Sequence, residues 1–331
     1  VTLKDREGAA PPETVEFDEY IRSRVTVLPE TRLEAVVDGA WEAHVASNVW
    51  AVKEELLGEW LESALTISAE GVQVDGGPRV QNHDGVAVIP LHGVISPQPS
   101  LLDLLFGAQG RGLAGFMSDL EMAALDDDVH SIVMDINSPG GLVDGVPEAA
   151  DKIAEIREGS KRIVAVANTT AASAAYWLAS QADEVVVTKS GQVGSIGVYS
   201  VHRDMSEAYA KEGVRHTIIS AGKYKLEGSP YAPMDDEAKQ AAQAAVNDYY
   251  DMFVADIARG RQVERAAVTD GYGQGRLLPA DRAVRAGLAD RKATLGQVVR
   301  ELSKPQAERP PAAPMSREDR LRLLDALVAS R

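Results

Sequence analysis

Apolar positions follow two different patterns along the chain. Between Thr31 and Ile67 they recur at helical spacing, with Val36, Trp41, Val45, Val49, Val52, Leu56 and Trp60 among them, which predicts one or two amphipathic helices. From Val86 the pattern changes to short, nearly continuous apolar runs. VAVIPLHGVI (86–95), HSIVMDI (130–136), RIVAVA (162–167), DEVVVT (183–188), IGVYSV (196–201) and RHTIIS (215–220) read as strands. Helices are predicted between them over 145–158, from Ser173 to Ser180 and from Asp204 to Glu212. Strands that do not alternate, joined by helices, indicate an α/β protein with a parallel sheet covered on both faces.

A long helix is predicted from Asp235 to Arg259, its acidic start facing the positive helix end and Gly260 closing it. Residues 280–302 continue as helix, interrupted near Gly287. The flanks differ in composition. Residues 1–30 read as an extended or disordered arm, and 31–84 as a helical arm ending in a Gly/Asp/Asn-rich linker from Gly71 to Asp84. One domain spans 85–303, a Pro-rich linker 304–314, and a short amphipathic helix 315–331, with Ser316 as N-cap.

Composition narrows the chemistry. The chain has 331 residues, 45% of them hydrophobic, and no Cys, so disulfides, thiolate metal sites and Cys nucleophiles are excluded. A formal charge of −16 argues against a nucleic-acid surface. No stretch approaches the ~20 apolar residues that cross a bilayer, and the first residues lack an apolar signal core, so no membrane partner and a cytoplasmic location are expected. No two His have the i, i+4 spacing of a helical metal site; neither a metal nor a cofactor is expected.

Three segments could carry chemistry, each following a predicted strand. In DINSPGG, Asp135 to Gly141, the Gly140–Gly141 pair lets backbone N–H groups face a ligand and could supply half of an oxyanion hole; a tight turn is the plainer reading. In ANTTAASAAYWLAS, Ser173 starts a helix between alanines, as a nucleophile or as an N-cap, and the Ala174 N–H lies where an oxyanion would form. SAGKYKLEGSP offers Lys223 and Lys225 as the base that a Ser hydroxyl needs, or as solvated loop residues. Taken singly each is bland; together they would converge on one sheet edge. His202, with Asp204 as partner, is the alternative base, poorly placed because the acid lies two residues away.

DINSPGG, TTAASAAYWLAS, GQVGSIGVYS, SAGKYK and YYDMFVADIARGR, in this order, resemble the signal peptide peptidase A family of serine peptidases, in particular its phage capsid (prohead) protease branch. The resemblance covers about Gly85 to Leu302. It implies a Clp protease/crotonase-like spiral of ββα units. It also implies Ser173 as nucleophile, Lys225 rather than Lys223 as base, and Gly141 and Ala174 as oxyanion donors, with Gly140 and Ser138 in support. One departure is visible: where the family has Ser-Gly-Gly, this chain has Ser173-Ala174-Ala175. A ring-shaped homo-oligomer acting on phage scaffold or capsid protein is the implied setting, in the host cytoplasm or inside the prohead. The rival functions are a bacterial cytoplasmic protease of the same family, a crotonase-like acyl-CoA enzyme and an inactive assembly factor.

Overall fold

The computed structural model describes residues 49–52, 80–97, 112–159 and 161–304. Within them, parallel strands β3 (Val86–Ile95), β4 (Ser131–Leu142), β5 (Arg162–Ala172) and β6 (Glu184–Val187) lie side by side in chain order. Helices α1 (Gly112–Leu125), α2 (Val146–Gly159) and α3 (Ala174–Ala179) connect them. The short strand β10 (Arg291–Lys292) extends the sheet beyond β6, also parallel, and β2 (Gln81–His83) runs antiparallel beside β3.

Both sheet faces are apolar, as strands without alternation require. One face presents Ile89, Ile132, Met134, Ile136 and Ile163, all fully buried among α1, α2 and α3. The other presents Val86, Val88, Val133, Val164 and Val186 to Val298 and Leu302 of α7 (Leu295–Leu302). Thr294 starts α7 with a capping box, its hydroxyl accepting from the Gln297 N–H while the Gln297 side chain accepts from the Thr294 N–H.

Beyond their middles, β4 and β5 change partners. Val164–Ala167 pair with β6, but Thr170–Ala172 pair with β7 (Gln192–Gly194), which in turn pairs antiparallel with β9 (Leu277–Pro279). The end of β4 pairs antiparallel with β1 (Val49–Val52), Ala51 opposite Gly141. β1 also pairs with β8 (Tyr199–Ser200).

After β8 come α4 (Ser206–Lys211), α5 (Asp236–Arg261), a π-helical turn (Ala267–Gly271) and α6 (Ala280–Ala286). Asp235 caps α5, its carboxylate accepting from the Ala238 N–H at 2.8 Å. Trp177 of α3 stacks on Phe253 of α5, centroids 4.3 Å apart, and its indole N–H donates to Asp256 at 2.8 Å. That contact fixes α3 from behind.

Five sequence expectations change. Helix over 31–67 fails at Val49–Val52, where pairing with the end of β4 overrides the local period; the rest of that prediction, the arm over 1–30 and the segments 305–331 lie outside the described residues. The linker to Asp84 contains β2, because Asp84–Gly85 makes a tight turn that returns the chain along β3. IGVYSV keeps only Tyr199–Ser200 as strand. RHTIIS is no strand: it pairs with no strand among the described residues, and Ile219 is 94% exposed. Gly260 does not close α5. Gln262, in the left-handed conformation, ends it, and Gly260 is glycine because a Cβ there would sit 2.2 Å from the Ser180 carbonyl oxygen.

Candidate active site

Ser173 stands between β5 and α3 with φ 53° and ψ −121°. A non-glycine residue there is strained, and the strain is held by the strand on one side and the helix on the other. The Ser173 N–H donates to the Gly194 carbonyl at 2.7 Å, its own carbonyl accepts from the Trp177 N–H at 2.9 Å, and its hydroxyl donates to the Gly197 carbonyl at 3.5 Å. The side chain makes no helix cap, so the N-cap hydrogen bond that would explain a serine here is absent. The residue is fully buried. Ala174, first residue of α3, has no carbonyl one turn back in its helix to receive its N–H.

Gly140 and Gly141 lie on the neighbouring strand β4, beside β5. Gly140 takes φ 99°, and its N–H donates to the Ser138 hydroxyl at 3.1 Å. Gly141 runs so close to β3 that a Cβ would lie 1.9 Å from the Ile95 carbonyl oxygen. DINSPGG is therefore the irregular end of a strand, not a turn after one.

A polar network fixes this end of the sheet. The carboxylate of Asp135, a residue 8% exposed, takes His92 Nε2 of β3 at 3.0 Å on one oxygen and the Asn168 amide of β5 at 3.0 Å on the other. Thr169 donates to the Asn137 side-chain oxygen at 3.2 Å. Register slips on both flanks at this level, between His92 and Val94 and between Ile136 and Ser138. Side chains thus bridge the strands where the backbone ladder lapses. Sequence reasoning did not single out His92, Asp135 and Asn168. The available signal was an Asp and an Asn inside apolar runs, which must find partners when buried.

The two lysines differ. Lys223 donates to Glu237 at 2.9 and 3.1 Å and to the Tyr224 hydroxyl at 2.9 Å, and these hydrogen bonds, to Tyr224 first and then to Glu237, hold its ammonium above the ordinary lysine range. Lys225 makes no side-chain hydrogen bond or ion pair among the described residues, and none joins it to Ser173. It lies in a segment, residues 211–228, that is exposed throughout. His202 does not form a triad either: among the described residues both its ring nitrogens lack partners, while Asp204 accepts from the Ser206 N–H. Within the chain, then, Ser173 and Ala174 follow the end of β5, the Gly140–Gly141 strand end lies on neighbouring β4, and Lys225 makes no side-chain hydrogen bond to them among the described residues.

No helix among the described residues is long and apolar enough to cross a membrane. A family model, peptidase family S49, matches residues 155–308. The capsid assembly protease C of Escherichia phage lambda is 32% identical over 233 residues, 69% of this chain and 52% of that protein. The head-tail preconnector protein of Enterobacteria phage P21 is 31% identical over 207 residues, 62% of this chain and 40% of that protein. The chain thus spans about half the length, or less, of these two phage relatives. A Methanocaldococcus jannaschii protein assigned as a protease is 30% identical over 250 residues, covering 75% of this chain and 77% of its own length. With that coverage on both sides and the family match over β5 to α7, the chain belongs to peptidase family S49.

Proposed function

We propose that the protein is a serine endopeptidase with Ser173 as nucleophile and Lys225 as general base, on a Clp protease/crotonase-like fold. The observation that carries this is the strained, uncapped Ser173 at a buried strand-to-helix turn, a geometry that an ordinary serine would relax. In the reaction, neutral Lys225 takes the hydroxyl proton of Ser173, whose oxygen attacks a peptide carbonyl. The N–H groups of Ala174 and Gly141 hold the oxyanion, Lys225 protonates the leaving amine, and water then releases the acyl group by the same route.

A lysine acts as a base only when neutral, which burial favours. Exposed as it is in the single chain, Lys225 needs a covering surface. Its segment carries Val214, Ile218, Ile219, Tyr224 and Leu226 exposed, a patch suited to a neighbouring subunit. Ring assembly, which the family resemblance implies, would cover that patch and complete the site. The name of the phage lambda relative supports scaffold or capsid protein as substrate, processed during prohead assembly in the host cell.

A fluorophosphonate label and a scaffold-cleavage assay test the reading together. Labelling at Ser173 and cleavage that rises toward alkaline pH are expected, with both label and cleavage lost in Ser173→Ala. Normal turnover by Lys225→Ala would remove Lys225 as the base.

A further inference from the structure

An open surface cavity of about 370 Å³ lies against β9 and α6, lined by the exposed side chains of Arg276, Arg282 and Arg285 together with Asp270, Gln274 and Leu278. None of its three guanidiniums holds a hydrogen bond or an ion pair among the described residues. Elsewhere Arg157, Arg162, Arg259, Arg261, Arg265 and Arg291 each hold a carboxylate. Three guanidiniums without a carboxylate among the described residues thus face one cavity. The nearby acids make no ion pair with them, although the charge of Arg285 acts on Asp281. Asp281 is bound by Lys292, and Asp270 accepts from the Thr269 hydroxyl at 3.3 Å.

The cavity wall is tied to the nucleophile. The Arg276 carbonyl accepts from the Ser195 N–H at 3.0 Å, and the carbonyl of the preceding residue, Gly194, accepts from the Ser173 N–H at 2.7 Å. Gly275 approaches Ile196 and Gly197, and Gly197 in turn receives the Ser173 hydroxyl. On its far side the cavity is shaped by the π-helical turn Ala267–Gly271, a distortion frequent at functional sites.

We propose that Arg276, Arg282 and Arg285 form a subsite for acidic side chains of the peptide substrate, beside the Ser173 turn. This rests on the peptidase reading. Guanidinium forks match carboxylates and phosphates alike. A carboxylate is the ligand here because the cavity adjoins the turn that carries the nucleophile, where a polypeptide must lie to be cut.

Binding is measured in full-chain Ser173→Ala, so that it does not depend on turnover. The probes are fluorescein-labelled ten-residue peptides carrying Glu at successive positions of an Ala/Ser background, with Gln twins. At one or more positions Glu should bind about threefold to tenfold tighter than Gln at low salt. The preference should shrink at high salt and vanish in Arg276→Gln/Arg282→Gln/Arg285→Gln, while binding of the Gln twins stays unchanged. Equal binding of the twins at every position, no binding of either, or a preference that survives the triple variant overturns the proposal. So does inorganic phosphate binding that the triple variant abolishes with no Glu preference, since that makes the cavity a phosphate site. Failure of the active protein to cut any peptide would count against the peptidase reading instead, leaving the binding result to stand by itself.

Discussion

Replacing Asp135 tests whether the strand ends beneath Ser173 and Gly141 are held by side chains. Asp135→Ala removes an acceptor shared by His92 and Asn168, each at 3.0 Å. Hydrogen bonds to a charged group contribute about 1.5–3 kcal/mol each, but a freed donor recovers part of this if water reaches it. The His92 side chain is 36% exposed and can turn outward, so most of the cost falls on the Asn168 amide. The Ala variant should lose about 2–4 kcal/mol. Asp135→Asn should lose about 1 kcal/mol, because its oxygen still accepts from Asn168 while its amide donates to His92 Nε2 in the other ring tautomer. Urea unfolding followed by Trp fluorescence reads both values, provided the slope m is unchanged. If the two variants cost the same, or if neither exceeds about 0.5 kcal/mol, the network does not hold the strands.

Four further outcomes follow from the geometry. Gly260→Ala should cost about 3 kcal/mol in the same unfolding measurement, because a methyl there meets the Ser180 carbonyl at 2.2 Å. Gly159→Ala, with nothing within 4 Å, should change stability by less than about 1 kcal/mol. Burial alone would raise the Asp290 carboxyl, but hydrogen bonds from Arg261 and the Val185 N–H, with the charge of Arg261, outweigh it and set it below the ordinary value of 3.8. A depressed carboxyl stabilises the fold above that value and loses its contribution as pH falls through the folded pKa. The gap between wild type and Asp290→Asn should therefore be full at neutral pH and close on acidification below it; a constant gap contradicts the pairing. Lys223→Ala should keep stability and cleavage near wild type, since its partner Glu237 is 58% exposed, while Lys225→Ala loses cleavage.

The parallel strands were legible because each is buried on both faces, and burial writes itself into consecutive apolar residues. VAVIPLHGVI coincides with β3, and Asp235 caps α5 where its acidic start predicts. Ser173 was legible as a helix start, and the adjacency of β4 and β5 that carry the two motifs followed from strand order. What remained illegible depends on pairing at a distance. β1 and β7 are strands because the ends of β4 and β5 offer edges to them, and β9 because β7 does in turn, facts that no local window contains. Gly260 illustrates the same limit, since the atom that forbids its side chain lies on Ser180. Between the lysines sequence alone had no physical ground to choose; the fold engages Lys223 with Glu237 and gives Lys225 no side-chain hydrogen bond or ion pair among the described residues. The amino-acid pattern thus determined which segments enter the core, because apolar burial is a property of the segment itself. Which strand ends meet, which serine is strained and which cations are left unpaired were decided by the tertiary structure, because each depends on atoms brought together from distant parts of the chain.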